Sequence, residues 1–267
     1  MLKRILSIAL MLCLVIPTAF AADATPTPPP VDISAQPVQP PEMIQNVLNL
    51  AYAQWEELDG ATLKEVNKYT EWRGKGVGFG WCGGFITWCM LECGVPMEEL
   101  EFFKDKAKES EDRMYPAQGI MHVKEASVGK LLRGYQIMNR STKIPQPGYL
   151  LVYGCSYNLT IHVGLVYDVQ ELGNGRYRIT TIEGNMSDRV KMYVHDYDSL
   201  AENPEENLFE IPEADRNREE SDCFNYVIPT AKIGGKKCNF YVNCFLMPWI
   251  PGDEAALTTT PTPAPAE

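Results

Sequence analysis

The sequence predicts an α+β fold in which N-terminal helices pack on an antiparallel β-sheet. Three observations carry this. Apolar residues recur at helical spacing at Met43, Ile44, Val47, Leu48 and Ala51, and again at Phe85, Trp88 and Cys89. From Pro145 onward the period changes to two. A turn containing Gly173-Asn174-Gly175 joins two alternating runs and marks them as antiparallel neighbours. Helices first and strands afterwards is the order of an α+β domain.

The chain opens on what reads as an export signal, Met1 to Ala21. Lys3 and Arg4 form its positive end, Ile5 to Ile16 its apolar core, and Ala19-Phe20-Ala21 its cleavage site. The apolar run is short for a bilayer span, and Cys13 within it lacks preceding small residues, so neither a membrane nor a lipid anchor is expected. Residues 22–41 are rich in Pro, Thr and Ala and read as an extended linker, and residues 254–267 as a disordered tail of like composition. Residues 42–253 are long enough for one core. The expected product is a secreted protein, monomeric, with no cofactor.

Without Lys3 and Arg4 the chain keeps 22 basic residues against 35 acidic ones, a net charge near −13. That balance excludes nucleic acid and anionic membrane surfaces as partners. Loss of Cys13 leaves seven cysteines of the original eight, and an odd count in an exported chain points to one unpaired thiol. Cys82 is expected to be that thiol, with the other six paired and Cys238–Cys244 closing a short loop. The competing arrangement leaves Cys89 and Cys93 reduced and buried in a helix. No matching Cys or His pair accompanies them, so zinc is not expected.

In order, the elements are a first helix from Met43 to about Glu57, a connector at 67–72, and a helix beginning near Cys82 and stopped by Gly94-Val95-Pro96. A charged surface helix within 98–113 and a short helix within 124–134 follow. Strands are expected at 148–153, 160–169, 177–183 and 239–247. Trp55 and Trp88 belong to the core. His195 is expected near a strand end as a structural or solvated residue, and His122 has no visible partner.

Trp81-Cys82-Gly83-Gly84-Phe85-Ile86-Thr87-Trp88 carries the chemistry. The glycine-spaced loop at 74–80 cannot continue a helix, so Cys82 stands at a helix N-terminus. Unpaired N–H groups and the positive dipole end there stabilise a thiolate and, later, an oxyanion. Such a thiol needs a base, and the base needs an acceptor to fix its tautomer. Alternation places His162 and Gly164 on one face and Glu183 and Asn185 on the matching face of the partner strand. A four-residue loop at 171–174 would set Glu183 opposite His162. Gly164 would let the cysteine helix approach closely. Either Glu183 or Asn185 could orient His162, and Asn185 could instead hold the oxyanion.

The cysteine block followed by Gly94-Val95, then Pro145-Gln146-Pro147-Gly148, His162-Val163-Gly164-Leu165-Val166 and Thr181-Ile182-Glu183-Gly184-Asn185, resembles the CHAP family in the same order. Asn67-x-Tyr69-x-x-Trp72 resembles the segment before that family's cysteine. These are cysteine- and histidine-dependent amidohydrolases/peptidases of the papain-like superfamily that cut peptidoglycan. The resemblance implies a papain-like fold, a peptidoglycan substrate, Cys82 as nucleophile, His162 as base, and Glu183 and Asn185 as supporting polar residues. Tyr69, Trp72 and Trp81 are expected to bind substrate. The chain departs from the family in carrying Tyr149 where an Asp is usual, in two sizeable insertions, about fifty residues before the first strand and about 197–243 after the hairpin, and in lacking the acidic cluster of calcium-binding members. No metal is therefore expected. The functions that follow are an N-acetylmuramoyl-L-alanine amidase or a peptidoglycan endopeptidase, the alternative being a non-catalytic binding or adhesion module that keeps the fold.

Overall fold

The computed structural model describes residues 36–156, 158–216 and 224–253. The export signal, most of the linker, the tail, Cys13 and Cys223 lie outside the described residues.

Helix α1 (Glu42–Leu58) buries Ile44, Val47, Leu48, Ala51 and Gln54, one stripe at helical spacing, and ends where Asp59 turns left-handed. Helix α2 (Lys68–Glu71) is a single turn made by a capping box. Asn67 accepts from the Tyr69 N–H at 2.9 Å, and the Thr70 hydroxyl accepts from the Asn67 N–H at 3.1 Å. Helix α3 (Cys82–Glu92) is buried on nearly every side, as its uniformly apolar composition requires. Gly94, at φ +69°, ends it by donating to the Leu91 carbonyl.

A short parallel pair follows, β1 (Met97–Glu98) with β2 (His122–Val123), flanked by α4 (Leu100–Lys108) and α5 (Val128–Ile137). The remaining strands are β3 (Ser141–Thr142), β4 (Leu150–Cys155), β5 (Asn158–Gly173), β6 (Arg176–Glu183), β7 (Lys191–Asp198), β8 (Leu208–Phe209), β9 (Thr230–Ile233), β10 (Lys236–Asn239) and β11 (Tyr241–Leu246). Seven form an antiparallel sheet in the order β3-β11-β4-β5-β6-β7-β8, and β9 and β10 form a separate hairpin. The α+β class is as expected. β4, flanked by β11 and β5, is buried at every position, which explains its unbroken apolar run.

The β5–β6 hairpin differs from the four-residue loop. Its turn is Asn174-Gly175, both left-handed at φ +51° and +74°, which fits a two-residue connection. Bulges between Val166 and Asp168 and between Glu171 and Gly173 then shift the pairing. The ladder ends at Leu165↔Ile182, so Glu183 continues opposite Gly164 rather than His162. The error is two residues, so every side chain keeps its face. β7 was not anticipated as a full strand.

The end of the 22–41 stretch touches the domain: the buried Gln146 amide accepts from the Val38 N–H at 2.7 Å and donates to the Gln36 carbonyl at 3.1 Å. The expected cysteine pairing needs correction. Cys238 pairs with Cys155, at a Cα separation of 6.0 Å, and not with Cys244. Cys155 ends β4 beside the β9–β10 hairpin, whereas Cys244 lies further along β11 opposite Val152. Cys89, Cys93 and Cys244 join Cys82 as unpaired thiols among the described residues. The stretch after β7 is also held by polar contacts: the buried Asn207 amide donates to the Val242 carbonyl and accepts from its N–H, at 2.8 and 2.9 Å.

Candidate active site

Cys82 is the first residue of α3, and no side chain caps that end. Its buried thiol is acted on by the His162 ring and by the backbone N–H groups of Gly83 and Val163. Burial alone would raise the thiol pKa. The His162 hydrogen bond and charge, with the two N–H groups, bring it below the ordinary thiol value.

His162 is buried on β5 and donates from Nε2 to Glu183 Oε2 at 2.9 Å. Nδ1 is thereby left for the thiol. Burial lowers an imidazole pKa, but Cys82 and Glu183 together raise this one above its ordinary value. Each group thus favours the charged form of the other.

Glu183, the last residue of β6, is fully buried and holds three donors. Oε1 accepts from the Tyr153 and Thr181 hydroxyls, both at 2.6 Å, and Oε2 from His162. Burial would raise its pKa, yet His162 and the two hydroxyls hold it below the usual carboxylate value. Burial and the adjacent carboxylate push the Tyr153 phenol far up, so it stays protonated as a donor. Three strands thus meet: Tyr153 is the register partner of His162 across β4–β5, and Thr181 precedes Glu183 by two on β6. Neither Tyr153 nor Thr181 was singled out in the sequence. Alternation could have found Thr181, which shares Glu183's face, but nothing local marks Tyr153.

Gly164 makes room for Glu183 rather than for the helix. A Cβ there would lie 2.9 Å from Glu183 Cγ and 3.0 Å from Oε1. Gly164→Ala is expected to cost about 1–3 kcal/mol of stability through overpacking and to displace the carboxylate from His162. Chemical denaturation alongside a hydrolysis assay would show both, and a fully active, equally stable variant would contradict this role.

Residues 72–185 match the CHAP domain family. This is the family that the sequence blocks resemble. The matched stretch spans Trp72 to Asn185 and so takes in Cys82, His162 and Glu183. No curated protein and no solved structure matches the chain. CHAP domains are generally amidohydrolases or peptidases, and the domain points to a function of the peptidoglycan-hydrolase type.

In and around the matched stretch the other expected site residues are placed as follows. Asn185, at φ +62°, makes no bond to the His162 ring, whose Nε2 is taken by Glu183. Its Nδ2 lies 3.7 Å from where a Cβ would stand at Gly80, two residues before the cysteine. Tyr69 and Trp81 do not present a groove: both are buried and stacked with ring centroids 5.4 Å apart, and the Tyr69 hydroxyl donates to Gln54. Trp72 alone is half-buried, with its indole N–H on the Tyr69 carbonyl. Tyr149, in the place of the family's usual Asp, is a core residue edge-on to Trp249.

His122 has partners after all. Nε2 meets the Thr87 hydroxyl at 3.0 Å and Nδ1 the Tyr135 hydroxyl at 2.8 Å, and burial pulls its pKa down to about 3. It is a neutral core histidine tying α5 to α3. His195 lies inside β7, buried, with neither ring nitrogen hydrogen-bonded, and burial holds it neutral with a pKa of about 4. Among the described residues no group of three or more His, Cys, Asp or Glu side chains is placed to hold a metal.

Proposed function

We propose that this protein is a secreted cysteine hydrolase that cleaves an amide bond of bacterial peptidoglycan. The observation that supports it most is the His162 ring, hydrogen-bonded through Nε2 to the buried Glu183 carboxylate at 2.9 Å, together with its pull on the Cys82 thiol at the start of α3. An adhesion module would have no use for a thiol whose pKa is lowered against its own burial.

In the proposed reaction the Cys82 thiolate adds to the amide carbonyl carbon. The developing oxyanion is met by unpaired N–H groups at the start of α3, with the Asn185 amide approaching from the Gly80 side. The His162 imidazolium gives its Nδ1 proton to the leaving nitrogen as the C–N bond breaks, which leaves a thioester. Neutral His162 then takes a proton from water as it attacks, releasing the acid and the thiol. Glu183 fixes the ring and balances its charge throughout. The bond is an N-acetylmuramoyl-L-alanine amide or a peptide bond of the stem or cross-bridge.

Mass spectrometry of purified muropeptides tests this and assigns the bond. The native chain is expected to yield a new amine and a new carboxylic acid, and Cys82→Ala, correctly folded by circular dichroism, to yield neither. Unchanged muropeptides with the native chain, or equal cleavage by Cys82→Ala, would remove the reading.

A further inference from the structure

We propose that Arg73 and Lys130, clamped by Glu125, form a carboxylate-recognition element on the rim beside Cys82, selecting amide substrates that carry a free carboxylate next to the scissile bond. The proposal rests on the peptidoglycan reading above and supplies a selectivity that reading does not contain.

The chain as a whole carries a net charge of −11. The cluster around Glu125 has the opposite sign. Glu125 is 4 % exposed, and each of its oxygens holds one cation: Oε2 accepts from Arg73 Nη1 and Oε1 from Lys130 Nζ, both at 3.0 Å. Two cations against one carboxylate leave one positive charge. The Arg73 and Lys130 side chains are 35 % and 52 % exposed, so that charge faces solvent.

The segment carrying Glu125 is wedged against the site. A Cβ on Gly83, the residue after the nucleophile, would lie 2.3 Å from the Ala126 carbonyl oxygen. The Thr87 hydroxyl on α3 donates to the Glu125 carbonyl at 2.6 Å. On the other side, a Cβ on Gly129 would stand 3.6 Å from Thr160 Oγ1, two residues before His162. Lys130 follows directly. The segment therefore borders both the cysteine and the histidine strand.

Arg73 is held from a third direction. Its guanidinium lies 5.7 Å from the Trp72 ring centroid and 5.8 Å from that of Phe79, three residues before Cys82. A guanidinium fixed against aromatic rings and bonded through Nη1 is pre-organised to offer its other N–H groups to a carboxylate. One cation would have been enough to pair a single buried carboxylate. The second, half in solvent, gives the element its excess charge. Stem peptides present carboxylates that some walls leave free and others amidate, and this element distinguishes those two forms.

Calorimetric titration of the Cys82→Ala chain provides the test. The probes are one soluble muropeptide with a free D-glutamyl α-carboxylate and the same muropeptide carrying a carboxamide there. The free acid is expected to bind about tenfold more tightly. Arg73→Gln with Lys130→Gln should erase the preference, whereas Arg73→Lys alone should retain part of it. Equal affinities for the two forms, no binding of either, or a preference that survives the double substitution would overturn the proposal. Hydrolysis of both muropeptides by the chain with Cys82 intact is measured in parallel. A binding preference without hydrolysis would remove the hydrolase reading and keep the carboxylate element. Hydrolysis without a preference would do the reverse.

Discussion

His162→Ala is expected to lower amide hydrolysis by about four orders of magnitude while the protein stays folded. In the proposed reaction the ring acts twice, by lowering the Cys82 pKa and by moving the proton to the leaving nitrogen. Its removal returns the thiol to the control of burial, which raises the pKa and leaves little nucleophile near neutrality. Glu183 keeps the Tyr153 and Thr181 hydroxyls, so its carboxylate is not stranded, and the cost in stability should stay near 1–3 kcal/mol. The pH profile of the native chain follows from the same pair. Activity should rise with Cys82 ionisation below the ordinary thiol pKa, and fall only as the imidazolium deprotonates above the ordinary histidine pKa. Stopped assays across pH, with denaturation curves for both chains, check both parts. Turnover within tenfold of native in His162→Ala would take the hairpin out of the mechanism.

Glu183→Ala should be the most destabilising single change at the site, by about 3–5 kcal/mol. It strands three buried donors at once, His162 Nε2, the Tyr153 hydroxyl and the Thr181 hydroxyl. Glu183→Gln keeps the shape and one acceptor but loses the charge. It should lower turnover by about 10²- to 10⁴-fold, less than His162→Ala, because the base remains. It should also move the alkaline limb of the pH profile toward neutral, since Glu183 is one of the groups that raise the His162 pKa. The sign for stability runs the other way along the pH axis. A carboxylate whose folded pKa is lowered stabilises the protein above its unfolded value of about 4.3, and that contribution is lost as pH falls through the folded value. Native-like stability and an unshifted profile in Glu183→Gln would mean that the carboxylate does not orient the ring.

Much of this site could be read along the chain because its signals are local. Glycines that break a helix before Cys82 and apolar spacing after it place the thiol at a helix start, and α3 begins at that residue. Alternation sorted His162, Gly164 and Glu183 onto one face, and it did so despite the wrong loop, because a two-residue slip leaves faces unchanged. Register itself depends on the turn and on two bulges, and neither leaves a mark in a pattern of period two. Hence the structure alone decided that Glu183 stands over Gly164, that it and not Asn185 accepts the His162 hydrogen bond, and that Tyr153 from a third strand supports it.

Burial decided the aromatics in the same way. Tyr69 and Trp81 look like groove residues next to Cys82, but the packing of α2 against α3 consumes both rings. Cysteine pairing and the Arg73–Glu125–Lys130 clamp belong to tertiary structure for one physical reason. Cys155 and Cys238 are 83 residues apart, and Arg73 and Glu125 are 52 apart. Local propensity carries no information across such distances, and only the closing of the sheet and the seating of the 125–130 segment on α3 bring these groups together.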